Sequence, residues 1–221
     1  PDEDFKPICS CTSAVPDGLH TFSTGAVSPV VTEISTNNLG SIGTFTTFQL
    51  SLSLSATEAN VYSLYATPDT SPMTFPAAFQ TILGGDVGVT PIIGPFDAYD
   101  SYLTIGNGEE LQAVGIDFSS WASDDVVVTD GGLVFMNPPN APSGVVLISQ
   151  LTVQCDATFV ANVNAQGTTA DESVNGDWQQ ENILFSFVSG PCAETVTTSA
   201  VLGVSSIMET TEVGTVVYLV F

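Results

Sequence analysis

One stretch restricts the fold of this chain more than any other. In Phe45–Ala56, the side chains Phe48, Leu50, Leu52, Leu54 and Ala56 alternate with Gln49, Ser51, Ser53 and Ser55. Successive side chains of a strand point to opposite faces, so this segment has one apolar face and one small polar face. That is the pattern of a half-buried antiparallel strand. The alternation returns in Thr158–Ala165, with Phe159, Ala161, Val163 and Ala165 inward and Val160, Asn162 and Asn164 outward, and again in Ile183, Phe185 and Phe187. Val145–Val153 is almost continuously apolar and suits a central strand buried on both faces.

Shorter segments fill the intervals. Val27–Ile34 reads as a strand broken early by Pro29. Val61–Ala66 is expected to return from Phe45–Ala56 as a hairpin, and Val126–Thr129 with Leu133–Met136 as another across Gly131-Gly132. In 97–121, Asn107-Gly108 separates Ser101–Ile105 from Leu111–Phe118, and Asn-Gly between apolar runs is the strongest short-range hairpin signal. Val114, Ile116 and Phe118 would then share one face. Residues 67–96 are rich in Pro and Gly, with room for one or two helical turns at Ala77–Leu83. Thr195–Val201 and Thr215–Phe221 read as the last strands. The sum is an all-β chain of about ten to twelve short strands, an antiparallel β-sandwich or jelly roll. One domain over residues 26–221 follows an irregular lead, 1–25; a boundary near residue 190 is the alternative.

Charge limits what can hold such a fold together. The 221 residues include 24 acidic side chains against a single Lys, Lys6, and no Arg, a formal net charge of −23. Ion pairs therefore cannot contribute in number, and stability must come from apolar burial, backbone ladders and disulfides. Nucleic acid and anionic lipid are excluded as partners, because phosphate must be neutralised by Lys and Arg. Brine, divalent cations or acid would each ease the self-repulsion: the Debye length falls to about 3 Å at 1 M salt, calcium bridges carboxylates, and acid protonates them. All three point outside the cytosol. No apolar run reaches the roughly 18 residues of a membrane span. The start at Pro1-Asp2-Glu3-Asp4 reads as a processed, mature end. No N-x-S/T sequon occurs.

Cys9, Cys11, Cys155 and Cys192 suggest disulfides and an oxidising compartment. Cys9–Cys11 is too close in sequence for unstrained geometry. Two arrangements stay open. Either Cys9 and Cys11 each bond further away, or Cys155–Cys192 closes and the CSC pair bonds a neighbour.

Three pieces carry a resemblance. They are Ala98-Tyr99-Asp100-Ser101 with Thr104-Ile105-Gly106, then Gly115-Ile116-Asp117-Phe118 closed by Trp121, then Asn164-Ala165-Gln166-Gly167 with Asp177-Trp178-Gln179. The chain resembles, over about residues 75–187, secreted β-rich proteins of marine bacteria and microalgae that have no assigned activity. The resemblance implies export and a β-fold and transfers no catalytic residue.

Enzyme chemistry finds little purchase. His20 is the only His and has no nucleophile motif beside it, so no Ser-His-Asp triad is expected. Carboxylate pairs arise by chance among so many acids. Calcium is the candidate ion, with Asp97, Asp100, Asp124 and Asp125 as ligands on loops; Asp171-Glu172 with Asp177 is a further cluster. A solvated acidic rim is the competing reading. Trp121, Trp178, Tyr99 and Tyr102 sit near turns and would either stack on glycans or close the core. The charge-free end Val216, Val217, Tyr218, Leu219, Val220 and Phe221 is a candidate assembly strand. The expected function is non-enzymatic: an exported structural protein that pairs with itself or other surface proteins. A calcium-dependent glycan-binding module and an accessory subunit in an oxidising lumen are the alternatives.

Overall fold

A computed structural model describes residues 21–24, 27–38, 43–68, 70–82, 84–108, 110–129, 131–171 and 176–192, and every structural statement below concerns these. Lys6, Cys9, Cys11, His20, Glu172 and the expected strands Thr195–Val201 and Thr215–Phe221 lie outside the described residues.

Twelve strands follow in chain order: β1 (Thr21–Thr24), β2 (Ser28–Asn38), β3 (Thr44–Ser53), β4 (Ser63–Tyr65), β5 (Met73–Phe75) and β6 (Tyr102–Leu103), then β7 (Gln112–Val114), β8 (Val126–Val128), β9 (Leu133–Phe135), β10 (Val145–Gln154), β11 (Thr158–Thr168) and β12 (Gly176–Val188). They form two sheets. The smaller has the order β2-β3-β10-β6; the larger runs β1-β12-β11-β4-β9-β7, with β5 paired to β11 and β8. All pairings between strands are antiparallel except β1 with β12, which are parallel. The chain is an all-β sandwich.

The alternating segments make the core as their pattern demands. Phe48, Leu50 and Leu52 from β3 and Val146, Leu151 and Val153 from β10 are all buried. Opposite them lie Ala161, Val163 and Ala165 from β11 with Ile183, Phe185 and Phe187 from β12, in one continuous cluster. Phe48 meets Phe187 across the two sheets at 4.8 Å between ring centres. Each such large apolar side chain contributes about 1.5–3 kcal/mol on burial. The run Val145–Val153 is central, between β3 and β6, and buried on both faces from Ile148 to Val153, while Val145 at its start is exposed and Leu147 half-buried.

Three expected hairpins are absent. β3 pairs with β2 and β10 in the small sheet, while β4 pairs with β11 and β9 in the large one. β8 pairs with β5, whereas β9 pairs with β4 and β7. β6 and β7 flank Asn107-Gly108 but belong to different sheets. The positive φ values fall on Gly106 (65°) and Gly108 (80°), and Asn107 does not take one. A two-residue type I′ turn needs both central residues there, so the chain crosses to the other sheet instead of folding back. β7 ends at Val114, which is exposed; Ile116 and Phe118 pack on the core beyond the strand.

Two further expectations are corrected. Residues 77–82 hold no helix: the Ala78 and Phe79 N–H groups donate to Trp121 O (3.0 Å) and Thr152 O (2.8 Å), which keeps the segment extended along the small sheet. Pro29 does not break the early strand; it sits within β2 opposite Leu52. Because β2 is an edge strand, the missing N–H of Pro29 costs no interior ladder bond.

Candidate functional site

No Lys, Arg or His occurs in residues 21–192, so carboxylates there must be satisfied by amide dipoles, hydroxyls and solvent. The two best-buried examples bracket a short 3-10 turn, Asp97–Tyr99. Asp97 accepts from Gly94 N (2.5 Å) and Ile93 N (3.0 Å), and these two amides hold its pKa below the ordinary carboxylate value. Asp100, fully buried, accepts from Thr81 N (2.8 Å) and the Thr90 hydroxyl (2.6 Å). Together they pin both arms of the Pro/Gly-rich loop 77–96.

The same stretch is bolted to β10. The Gln150 amide donates to Ala98 O (3.1 Å) and Asp100 O (2.8 Å), and Thr152 N donates to the Ser101 hydroxyl (2.9 Å). Ser149 Oγ donates to Tyr102 O (3.0 Å). The segment Ala98-Tyr99-Asp100-Ser101 thus makes a structural clamp.

The four expected calcium ligands do not converge. Asp124 accepts from Ser123 Oγ (2.8 Å) and Asp125 from Ala77 N (2.8 Å), both at the exposed surface. The buried pair is committed to amides and a hydroxyl, whereas Ca²⁺ needs six to eight convergent oxygens. Among the described residues, the only gathering of three metal-capable groups is Cys155, Asp156 and Cys192. There the two sulfurs are bonded to each other, so neither is a thiolate ligand. This disulfide, with Cα atoms 4.9 Å apart, joins the end of β10 to the chain beyond β12.

Of the four candidate stacking residues, the two tryptophans close the core. Trp121 and Trp178 are completely buried, and their indole N–H groups donate to Pro76 O (2.9 Å) and Asn60 O (3.0 Å). Tyr102 is buried and Tyr99 half-buried. Stacking on a sugar ring needs an open aromatic face, which neither indole offers.

The sequence reading missed what the clamped loop presents. Ile82 is fully exposed, Ile92 and Ile93 are each 76 % exposed, and Val89 and Phe96 are substantially so. Between Phe79, Ile82, Pro95 and Phe96 lies a cleft of about 510 Å³. A second groove of about 450 Å³ shares Phe79 and Gln80 and continues past Phe45 and Phe159. The signal was present in Ile82, Val89, Ile92, Ile93 and Phe96, large apolar residues inside a turn-forming segment with no strand to bury them.

No family model matches the sequence, and no curated protein matches it.

Proposed function

We propose that this protein is a non-enzymatic, exported subunit of an extracellular assembly, joined to its neighbours by strand pairing. The observation that carries the reading is β2: eleven residues at the edge of the small sheet, paired only with β3 among the described strands. Its single charged side chain is Glu33. An open strand edge presents unpaired N–H and C=O groups and is a template for another chain. Pro29 and a bulge at Ile34, which is half-exposed, confine that template to Val30–Glu33 and Ser35–Asn38.

Two features support the setting. The Cys155–Cys192 disulfide suits an oxidising compartment. The lack of Lys and Arg leaves trypsin-like proteases essentially no cleavage site, since Lys6 precedes Pro7. The charge-free segment Val216–Phe221, outside the described residues, is the donor strand that the sequence offers.

Light scattering on the native protein tests this, with and without reductant. Assembly predicts a high-mass species, and Ile34→Asp or Val217→Asp should bring it to the 23.0 kDa monomer by placing charge on the pairing edge. A monomer at all concentrations and salt levels would remove the reading.

A further inference from the structure

We propose that Cys192 Sγ is a site of thiol–disulfide exchange that admits cationic or uncharged thiols and resists anionic ones, with Asp156 as the residue that sets this preference. An oxygen of the Asp156 carboxylate lies within 4.8 Å of both Cys155 Sγ and Cys192 Sγ. The carboxylate is held in that place, because its Oδ2 accepts from Cys192 N (3.1 Å). Its backbone is fixed too, with φ at 57° and its own N–H donating to Gly190 O (2.9 Å). A negative charge is thus pinned beside the disulfide.

Accessibility decides which sulfur reacts. Cys192 is exposed and Cys155 half-buried. An incoming thiolate therefore attacks Cys192 Sγ. A new sulfur–sulfur bond forms there, the Cys155–Cys192 bond breaks, and its electron pair leaves on Cys155 as a thiolate. The arriving sulfur and the departing one are both negative, and no Lys, Arg or His in residues 21–192 offsets them. A neighbouring carboxylate disfavours a thiolate, so Asp156 slows the approach and makes Cys155 a poorer leaving group. The released Cys155 stays opposite Cys192, because Ser189 N donates to Ala157 O (3.0 Å) and Gly190 N to Thr46 Oγ1 (3.2 Å). Its return attack on Cys192 Sγ restores the native bond and ejects the thiol.

The charge of the thiol then selects. A cationic thiol offsets Asp156 as it approaches. An anionic one adds a second repulsion, on top of a chain with formal charge −23. This reactivity needs only the oxidised monomer and does not rest on the assembly reading.

The full chain at low salt provides the test, treated with cysteamine (cationic), mercaptoethanol (neutral) or mercaptoethanesulfonate (anionic). Loss of the Cys155–Cys192 link is timed by alkylation and mass spectrometry. Each rate is divided by that of the same thiol with the neutral hydroxyethyl disulfide. The normalised rates should fall in the order cationic, neutral, anionic. Asp156→Asn keeps an acceptor for Cys192 N and tolerates the positive φ. It should speed the sulfonate about fivefold, the effect of one unit charge at about 4 Å in water, and cysteamine less. Salt supplies a check that needs no variant: at about 1 M, where the Debye length is about 3 Å, the three normalised rates of the parent should converge. Equal normalised rates in the parent at low salt would overturn the proposal. So would an equal acceleration of all three thiols by Asp156→Asn at every salt concentration, since that is the mark of a loosened junction.

Discussion

The Asp100 carboxylate fills the space that a Cβ on Gly84 would need. Gly84 has no positive φ, so its requirement is room alone. Gly84→Ala should push Asp100 off Thr81 N and Thr90 Oγ1 and cost about 1–3 kcal/mol, the range for overpacking a filled site. Asp100→Ala should cost about 3 kcal/mol, because it strands a buried amide and a hydroxyl. Urea denaturation measures both. A Gly84→Ala protein as stable as the parent would show that the loop does not depend on this contact.

Asp86 titrates in the opposite direction to Asp97 and Asp117. Burial, and then the Asp100 charge, raise the pKa of Asp86 above its ordinary 3.8. Between 3.8 and the raised value the folded chain holds more of this proton than the unfolded chain. Stability from this group therefore falls as pH rises through that window and stays low above it. Asp97 and Asp117 behave in reverse, since backbone amides of Gly94 and Ser119 lower their pKa values. Their contribution is present above 3.8 and is lost as pH falls through the depressed folded values. Asp86→Asn should add about 0.5 kcal/mol at pH 7, the scale of a partly exposed charge interaction. It should also remove the Asp86 share of the stability gained as pH falls into the window above 3.8. Denaturant midpoints at pH 7 and just above 3.8 decide this; a variant weaker than the parent at pH 7 would contradict it.

What could be read in the sequence was local. The alternation of Phe48, Leu50 and Leu52 and that of Ile183, Phe185 and Phe187 depend only on neighbours along the chain, and both name core faces correctly. Pairing is not local. Asn107-Gly108 has the composition of a hairpin turn, yet Tyr102–Leu103 finds its partner in β10 and Gln112–Val114 in β9. The same holds for Asp100. Its residue type allowed a metal ligand, and only the fold brings Thr81 and Thr90 to its oxygens. Asn162 and Asn164 alternate as outward residues, but both side chains are buried: Asn164 Nδ2 donates to Ser71 O and Tyr65 O, and Asn162 Nδ2 to Pro72 O.

Three tyrosines should resist ionisation. Burial, and then Glu181, push Tyr65 up to about 12. Burial and then Asp177 raise Tyr62, whose hydroxyl also meets Gln166, and burial with Asp100 raises Tyr102. Absorbance at the tyrosinate band should therefore leave these three of the five tyrosines protonated at pH values where a free phenol, with pKa about 10, is largely ionised. Their titration should coincide with alkaline unfolding followed by circular dichroism. Five tyrosines titrating together near 10 would place these hydroxyls in water.

The Cys155–Cys192 disulfide closes a loop with a sequence separation of 37 residues that contains the whole β11–β12 hairpin. Constraining a loop of that length in the unfolded chain is worth about 3–4 kcal/mol by the chain-entropy relation. The folded partners nearby do not need the bond: Ser189 N donates to Ala157 O (3.0 Å), Gly190 N to Thr46 Oγ1 (3.2 Å), and Asp156 N to Gly190 O (2.9 Å). Cys192→Ser should therefore keep the sandwich and lose about 3 kcal/mol. With no ion pairs available to the described strands, that loss is a large share of a stability of about 5–15 kcal/mol. Calorimetry and far-ultraviolet circular dichroism distinguish the outcomes. A melting temperature unchanged by reduction would mean that the hydrogen bonds at Ser189, Gly190 and Asp156 hold the junction without the sulfur bridge.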